Sequence, residues 1–176
     1  MFFYLLSTAT GVLNYTTLSR TFEITDKTVK EYINYFEDTF LFKRIDRFHN
    51  KPKVKIKSTK KLYVLDNGFL QISQKHSLNN GLLLENSIFN ILNQNDEELT
   101  YLKDTYEIDF YSKNTLYQVS YDISEEKTLK RELNAFKHFI LNNNTKSVLI
   151  TYDTNNEFDS VKTIGYEEFV FNNHNK

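Results

Sequence analysis

Glu85, Asp109 and the triplet Gln118-Val119-Ser120 are the residues whose types and spacing come nearest to a set that does chemistry. Glu85 falls in a stretch with helical apolar spacing, and Asp109 lies in the strand-like run Tyr106-Glu107-Ile108-Asp109-Phe110. Two carboxylates brought from separate elements can converge on a hard cation such as Mg²⁺. A metal-dependent nuclease needs such a pair, together with a positive charge that stabilises the attacking hydroxide or the developing phosphorane. Gln118 offers a neutral carbonyl oxygen, and Ser120 cannot replace an ammonium group electrostatically. Lys103, Lys127 and Lys130 lie on neighbouring predicted elements, so a lysine could enter the site from there. Each acid also has a plain structural role: Glu85 as a carboxylate favoured by a helix N-terminus, and Asp109 as the partner of Lys103 or another surface cation.

The elements that must position these residues can be read from apolar periodicity. A first helix covers about residues 2–9 and ends near Gly11. Tyr15, Leu18 and Phe22 mark a second helix at i, i+3, i+7. After the turn Glu23-Ile24-Thr25, Val29, Ile33, Phe36 and Phe40 mark a third at i, i+4, i+7, i+11, with Thr25 or Asp26 as its cap. Two helices around a short turn predict a helix-turn-helix. Leu41 to Phe48 then alternates apolar and charged residues as a strand does. His49 to Pro52 reads as a turn, and Val54 and Ile56 between lysines read as the returning strand. Helix, helix-turn-helix and hairpin together describe a winged helix.

The run Lys60 to Asp66 is a further strand, closed by an Asn67-Gly68 turn that can supply a positive φ. A polar linker from about Gln74 to Asn80 puts a boundary near residue 75, giving regions 1–75 and 76–176. Beyond it come a helix at 82–94, strands near 99–102, 107–112 and 116–121, and a helix at 125–142 with Leu129, Leu133, Phe136 and Ile140 inward. A buried strand at 147–152, a strand near 161–164, a short helix from Tyr166 to Phe171 and a frayed tail complete the chain. The order αβββαβ predicts an α/β region with a mixed sheet.

Charge is divided unevenly. Residues 1–61 hold 12 Lys and Arg against 6 Asp and Glu, a net of +6, whereas residues 62–176 hold 10 against 17, a net of −7. The basic region carries candidate DNA contacts. Lys27, Thr28, Lys30 and Asn34 lie opposite Val29 and Ile33, where they could enter a major groove, with Asn34 able to read a base edge. Lys43, Arg44, Arg47, Lys51, Lys53, Lys55 and Lys57 are placed to meet phosphates. Glu31, Glu37 and Asp38 on the same helix would oppose DNA. The chain has no cysteine, which excludes disulfides, thiolate zinc sites and cysteine nucleophiles. Its four histidines are scattered at 49, 76, 138 and 174, only His138 within a predicted helix, with no zinc-type spacing. The apolar start Met1 to Leu6 has no cation before Arg20, so it predicts a packed helix rather than a signal peptide or a membrane span. A cytoplasmic protein with no membrane association is expected.

Several stretches in this order carry a family resemblance: Leu18 to Leu41; Lys61-Leu62-Tyr63-Val64-Leu65-Asp66-Asn67-Gly68; Gly81-Leu82-Leu83-Leu84-Glu85-Asn86; Glu107-Ile108-Asp109-Phe110; and Ile164-Gly165-Tyr166-Glu167-Glu168-Phe169. The chain resembles the C-terminal region of prokaryotic AAA-type P-loop ATPases, in which a winged helix precedes a PD-(D/E)xK restriction-endonuclease-like domain of unclear activity. No GxxxxGK[S/T] run occurs, and the glycines at 11, 68, 81 and 165 are too scattered to cradle phosphates, so nucleotide binding is not expected. Where the family often reads Glu-Val-Lys, this chain reads Gln118-Val119-Ser120. The resemblance therefore implies a degenerate nuclease-like site of Glu85, Asp109 and Gln118, with Ser120 in the lysine position and Glu85 and Asp109 as the residual metal ligands. The expected function is a non-catalytic DNA-binding module without a cofactor. One alternative is a Mg²⁺- or Mn²⁺-dependent nuclease with a relocated lysine. The other is a module that docks on an ATPase or on another copy of itself.

Overall fold

The computed structural model describes residues 1–73, 79–95, 98–140, 144–154, 157–158 and 161–174. The protein is a mixed α/β chain that divides into two compact units, Met1–Asn86 and Ser87–Lys176. Residues 74–78 of the expected linker from Gln74 to Asn80, and with them the boundary expected near residue 75, lie outside the described residues, while Asn80 begins a helix. No helix among the described residues is long and apolar enough to cross a membrane.

In the first unit, α1 (Phe2–Ser7), α2 (Tyr15–Phe22) and α3 (Asp26–Asp38) precede strand β1 (Phe42–Arg47). Both α2 and α3 begin on a side-chain cap, of which the sequence reading expects only Thr25. Asn14 accepts from Thr17 N at the start of α2, and Thr25 accepts from Thr28 N at the start of α3. Val29 and Ile33 are buried against Leu5, Leu6, Leu18 and Phe42. Phe40 was expected on the same stripe but is 78 % exposed. Helix α3 ends at Asp38, and Phe40 takes a left-handed φ of 57°. Leu41 N donates to Phe36 O and Phe40 N to Glu37 O, the two bonds of a Schellman cap. The chain leaves the helical path there, so the 3.6-residue period no longer applies.

A larger correction concerns residues 52–57. The expected returning strand is instead helix α4 (Pro52–Lys57), with Pro52 in its first turn. Val54 and Ile56 are both exposed. Alternation stabilises a strand only when one face is covered, and neither apolar residue here is covered. The strand that pairs antiparallel with β1 is β2 (Lys60–Val64), in register Phe42↔Val64 and Asp46↔Lys60. Asn67-Gly68 forms no positive-φ turn, since no described glycine has positive φ. These residues begin helix α5 (Asn67–Ser73), where Asp66 Oδ1 accepts from Gly68 N at 2.7 Å.

The other edge of β2 is closed without a full strand. Thr10 N donates to Leu62 O, and Leu62 N donates to Gly11 O. Two residues further along, the amide of Asn86 takes over. Asn86 Oδ1 accepts from Val64 N at 2.9 Å, and Asn86 Nδ2 donates to Val64 O at 2.7 Å and to Asn67 Oδ1 at 2.6 Å. One side chain therefore satisfies two backbone groups that would otherwise be buried and unpaired. Asn86 lies on helix α6 (Asn80–Asn95), which runs across the division between the units.

In the second unit, β3 (Thr100–Lys103), β4 (Glu107–Ser112) and β5 (Thr115–Val119) form an antiparallel meander. Helix α7 (Glu126–Phe139) then crosses to β6 (Lys146–Thr151), which lies parallel to β5. A parallel neighbour requires such a crossover. β8 (Val161–Gly165) adds in parallel to β6, and the short β7 (Glu157–Phe158) pairs antiparallel with β8. Helix α8 (Tyr166–His174) follows, so the expected tail is helical as far as His174, while Asn175 and Lys176 lie outside the described residues. His138 is therefore not alone in lying on a helix. Ile140 was expected inward but is 53 % exposed, because α7 ends at Phe139 and buries Glu132, Ala135, Phe136 and Phe139 instead.

Candidate functional site

The expected site residues fall into both units. Glu85, in the first, accepts from Tyr63 Oη at 2.9 Å and from Lys61 Nζ at 3.2 Å. Lys61 is 3 % exposed and Glu85 is partly buried, so the carboxylate meets an ammonium group that is largely removed from solvent. Glu85 thus balances the buried charge of Lys61 on β2.

Asp109 and Gln118 meet in the second unit. Strands β4 and β5 pair side by side, and Gln118 shares the buried face of Leu116. Gln118 Oε1 accepts from Asp109 N at 3.1 Å, and its Nε2 donates to Glu132 Oε2 at 2.8 Å. Asp109 Oδ2 accepts in turn from Val119 N at 2.9 Å. The amide orientation of Gln118 is set by its neighbours, because a backbone N–H needs an acceptor and a carboxylate needs a donor. The carbonyl oxygen that Gln118 offers is therefore turned to a backbone donor. Ser120 Oγ donates to Asp122 O at 3.2 Å.

Glu132 was not anticipated. It stands at the first position of the i, i+3, i+4, i+7 stripe formed with Ala135, Phe136 and Phe139, and it is 2 % exposed. An acid on the core face of an otherwise apolar stripe was the available signal, and it was hidden by an inward face expected one residue away. Burial pushes the Glu132 carboxyl above its ordinary range. Arg131 pulls it back through a hydrogen bond and its charge, while nearby Asp109 adds a smaller upward push. The Arg131 guanidinium is raised mainly by its hydrogen bond to Glu132. A cleft of about 370 Å³ opens on Tyr106, Asp109, Gln118, Arg131 and Glu132. Among the described residues no three His, Cys, Asp or Glu side chains are gathered as a metal site would gather them. Of the candidate replacement lysines, Lys103 pairs with Glu107 and Lys130 with Glu126.

The expected DNA-contacting residues all lie in the first unit. One cleft of about 540 Å³ brings Lys30 and Asn34 of α3 together with Arg44 of β1 and Lys57 of α4. Within it Arg44 is already engaged. Its backbone N and its guanidinium bond to Glu37, and the guanidinium also donates to Tyr15 Oη at 3.0 Å and Asn34 Oδ1 at 2.8 Å. The opposing charge of Glu37 is thereby cancelled internally, and Asn34 keeps its amide nitrogen for another partner. Lys30 lies over the Tyr15 ring at 5.5 Å. Lys27 lies 3.9 Å from Glu31, and Thr28 Oγ1 meets Thr25 Oγ1 at 2.9 Å. Lys43, Arg47, Lys51, Lys53, Lys55 and Lys57 have no carboxylate partner among the described residues.

A family model described as a domain of unknown function (DUF8612) matches residues 1–78. No curated protein and no solved structure matches the chain.

Proposed function

We propose that this chain is a non-catalytic DNA-binding module, resembling the winged-helix and PD-(D/E)xK-like C-terminal region of prokaryotic AAA-type ATPases. The observation that carries the reading is the cluster of unpaired cations on and beside α4. Lys51, Lys53, Lys55 and Lys57 follow one another on an exposed segment without an acid, and Lys57 shares a cleft with Lys30 and Asn34 of α3. Such a cluster is an electrostatic footprint for a phosphate backbone, with α3 alongside to approach bases. The antiparallel pair β1–β2, with α4 between its strands, supports reading this segment as a wing. The order α6, β3, β4, β5, α7 and β6 supports an endonuclease-like reading of this αβββαβ stretch. In the second unit, the engagement of Gln118 by Asp109 N and Glu132 supports a scaffold in preference to metal-dependent hydrolysis; in the first, Glu85 is likewise engaged by Lys61 and Tyr63.

The test is fluorescence anisotropy of labelled duplex DNA across a salt series without metal. Each phosphate contact contributes about −0.9 to the slope of log K against log salt. The variant Lys53→Glu/Lys55→Glu/Lys57→Glu is expected to shorten that slope by about 3 and to weaken binding on every sequence alike. Absence of binding at low salt would overturn the reading and leave the first unit as a protein-docking element.

A further inference from the structure

The second unit carries a cleft of about 630 Å³ unrelated to Asp109 or Gln118, lined by Tyr152, Asp153, Tyr166, Glu167, Glu168 and Phe171. It opens where β6 and β8 end, at Thr151 and Gly165, and Tyr166 N donates to Tyr152 O at 3.2 Å across its floor. The carboxyl ends of parallel strands are where open α/β sheets usually receive ligands. Tyr152 is 52 % and Phe171 69 % exposed, and Tyr152 is stacked on Tyr121 with ring centroids 5.0 Å apart. The floor is therefore aromatic and the rim acidic, with no cation among the lining residues. That chemistry takes a ligand with ammonium groups around an apolar centre, since cations are attracted both to carboxylates and to ring faces.

The chain itself presents that ligand. On α4, Lys53, Ile56 and Lys57 stand at i, i+3 and i+4 and so share one face. Ile56 is 74 % exposed between two lysines that have no carboxylate partner among the described residues. An apolar knob flanked by ammonium groups matches an aromatic floor flanked by carboxylates, and the net charges of +6 and −7 over the two regions favour the same encounter. We infer that the acid-rimmed aromatic cleft at the start of α8 receives helix α4 of a second copy of this chain. The contact is heterologous, so it adds copies head to tail and need not stop at two. It uses the lysines offered to DNA, which makes self-association and DNA binding competitors.

Sedimentation velocity without DNA tests this. The wild-type mass is expected to rise above 21.0 kDa with concentration at low salt. The apparent dissociation constant should weaken about tenfold or more between 50 and 500 mM salt, as screening shortens the reach of the charges. Lys53→Glu/Lys55→Glu/Lys57→Glu, and separately Asp153→Lys/Glu167→Lys/Glu168→Lys, should each sediment as monomers. An equimolar mixture of the two should associate again, because each supplies the surface the other has lost. The cleft variant should bind duplex DNA at least as well as wild type, which separates this contact from the DNA reading. A wild-type chain that stays monomeric at low salt across the concentration range would overturn the inference, as would association that survives in the lysine variant.

Discussion

Replacing Gln118 by Glu would set a second carboxylate against Glu132, and the structure sets what that change should cost. Gln118 Nε2 now donates to Glu132 Oε2 at 2.8 Å. A glutamate keeps the bond from Asp109 N but sets a second carboxylate oxygen at about that distance from Glu132. Leaving both charged would cost about 6 kcal/mol at an effective dielectric of about 20. Protonating one of them at pH 7, from an ordinary value of about 4.3, costs about 3.7 kcal/mol, so this is the route taken. Burial has already raised Glu132, which lowers the cost further. The expected destabilisation is therefore about 2–4 kcal/mol near pH 7.5, falling to about 1 kcal/mol near pH 5.

The sign follows from linkage. The shared proton binds more tightly in the folded protein than in the unfolded one, so stability is full at low pH and is lost as pH rises through the folded value. Urea unfolding followed by far-ultraviolet circular dichroism at the two pH values reads it. In the background Glu132→Gln the amide and acid exchange places, and the penalty of Gln118→Glu should largely disappear at both pH values. An equal loss at both pH values, or none near pH 7.5, would refute the reasoning. Restoration of the variant by millimolar Mg²⁺ would instead place a cation between the carboxylates and favour the nuclease reading.

Asn86→Leu removes the amide that pairs Val64 N and O, leaving two buried backbone groups unsatisfied; a loss of about 3 kcal/mol or more is expected in urea unfolding. Hydrogen exchange at Val64 should accelerate in the same variant, and unchanged protection would contradict the strand-edge role. Phe40→Gly relieves a left-handed backbone at an exposed position, so it should stabilise by about 0.5–1 kcal/mol, read as a raised thermal midpoint.

By itself the sequence determined the elements whose signals are local. Thr25 stands where α3 needs a cap, and Tyr15, Leu18, Val29 and Ile33 repeat at the helical period. The three strands of the meander, the crossing helix α7 and the continuous apolar run of β6 were legible for the same reason. A cap or a period involves residues a few positions apart, and their preference survives whatever surrounds them. Tertiary structure decided what depends on which face is covered. Val54 and Ile56 alternate with lysines as a strand would, yet no sheet receives them, and Pro52 starts a helix instead. Glu132 is buried because Gln118, 14 positions away, meets it on the core side of α7, while the largely exposed Arg131 beside it on the helix pairs with its other oxygen. Asn86 completes the edge of a strand 22 positions away. Burying a polar group is tolerated only when a partner is brought to it, and contacts at such distances in sequence leave no period by which to read them.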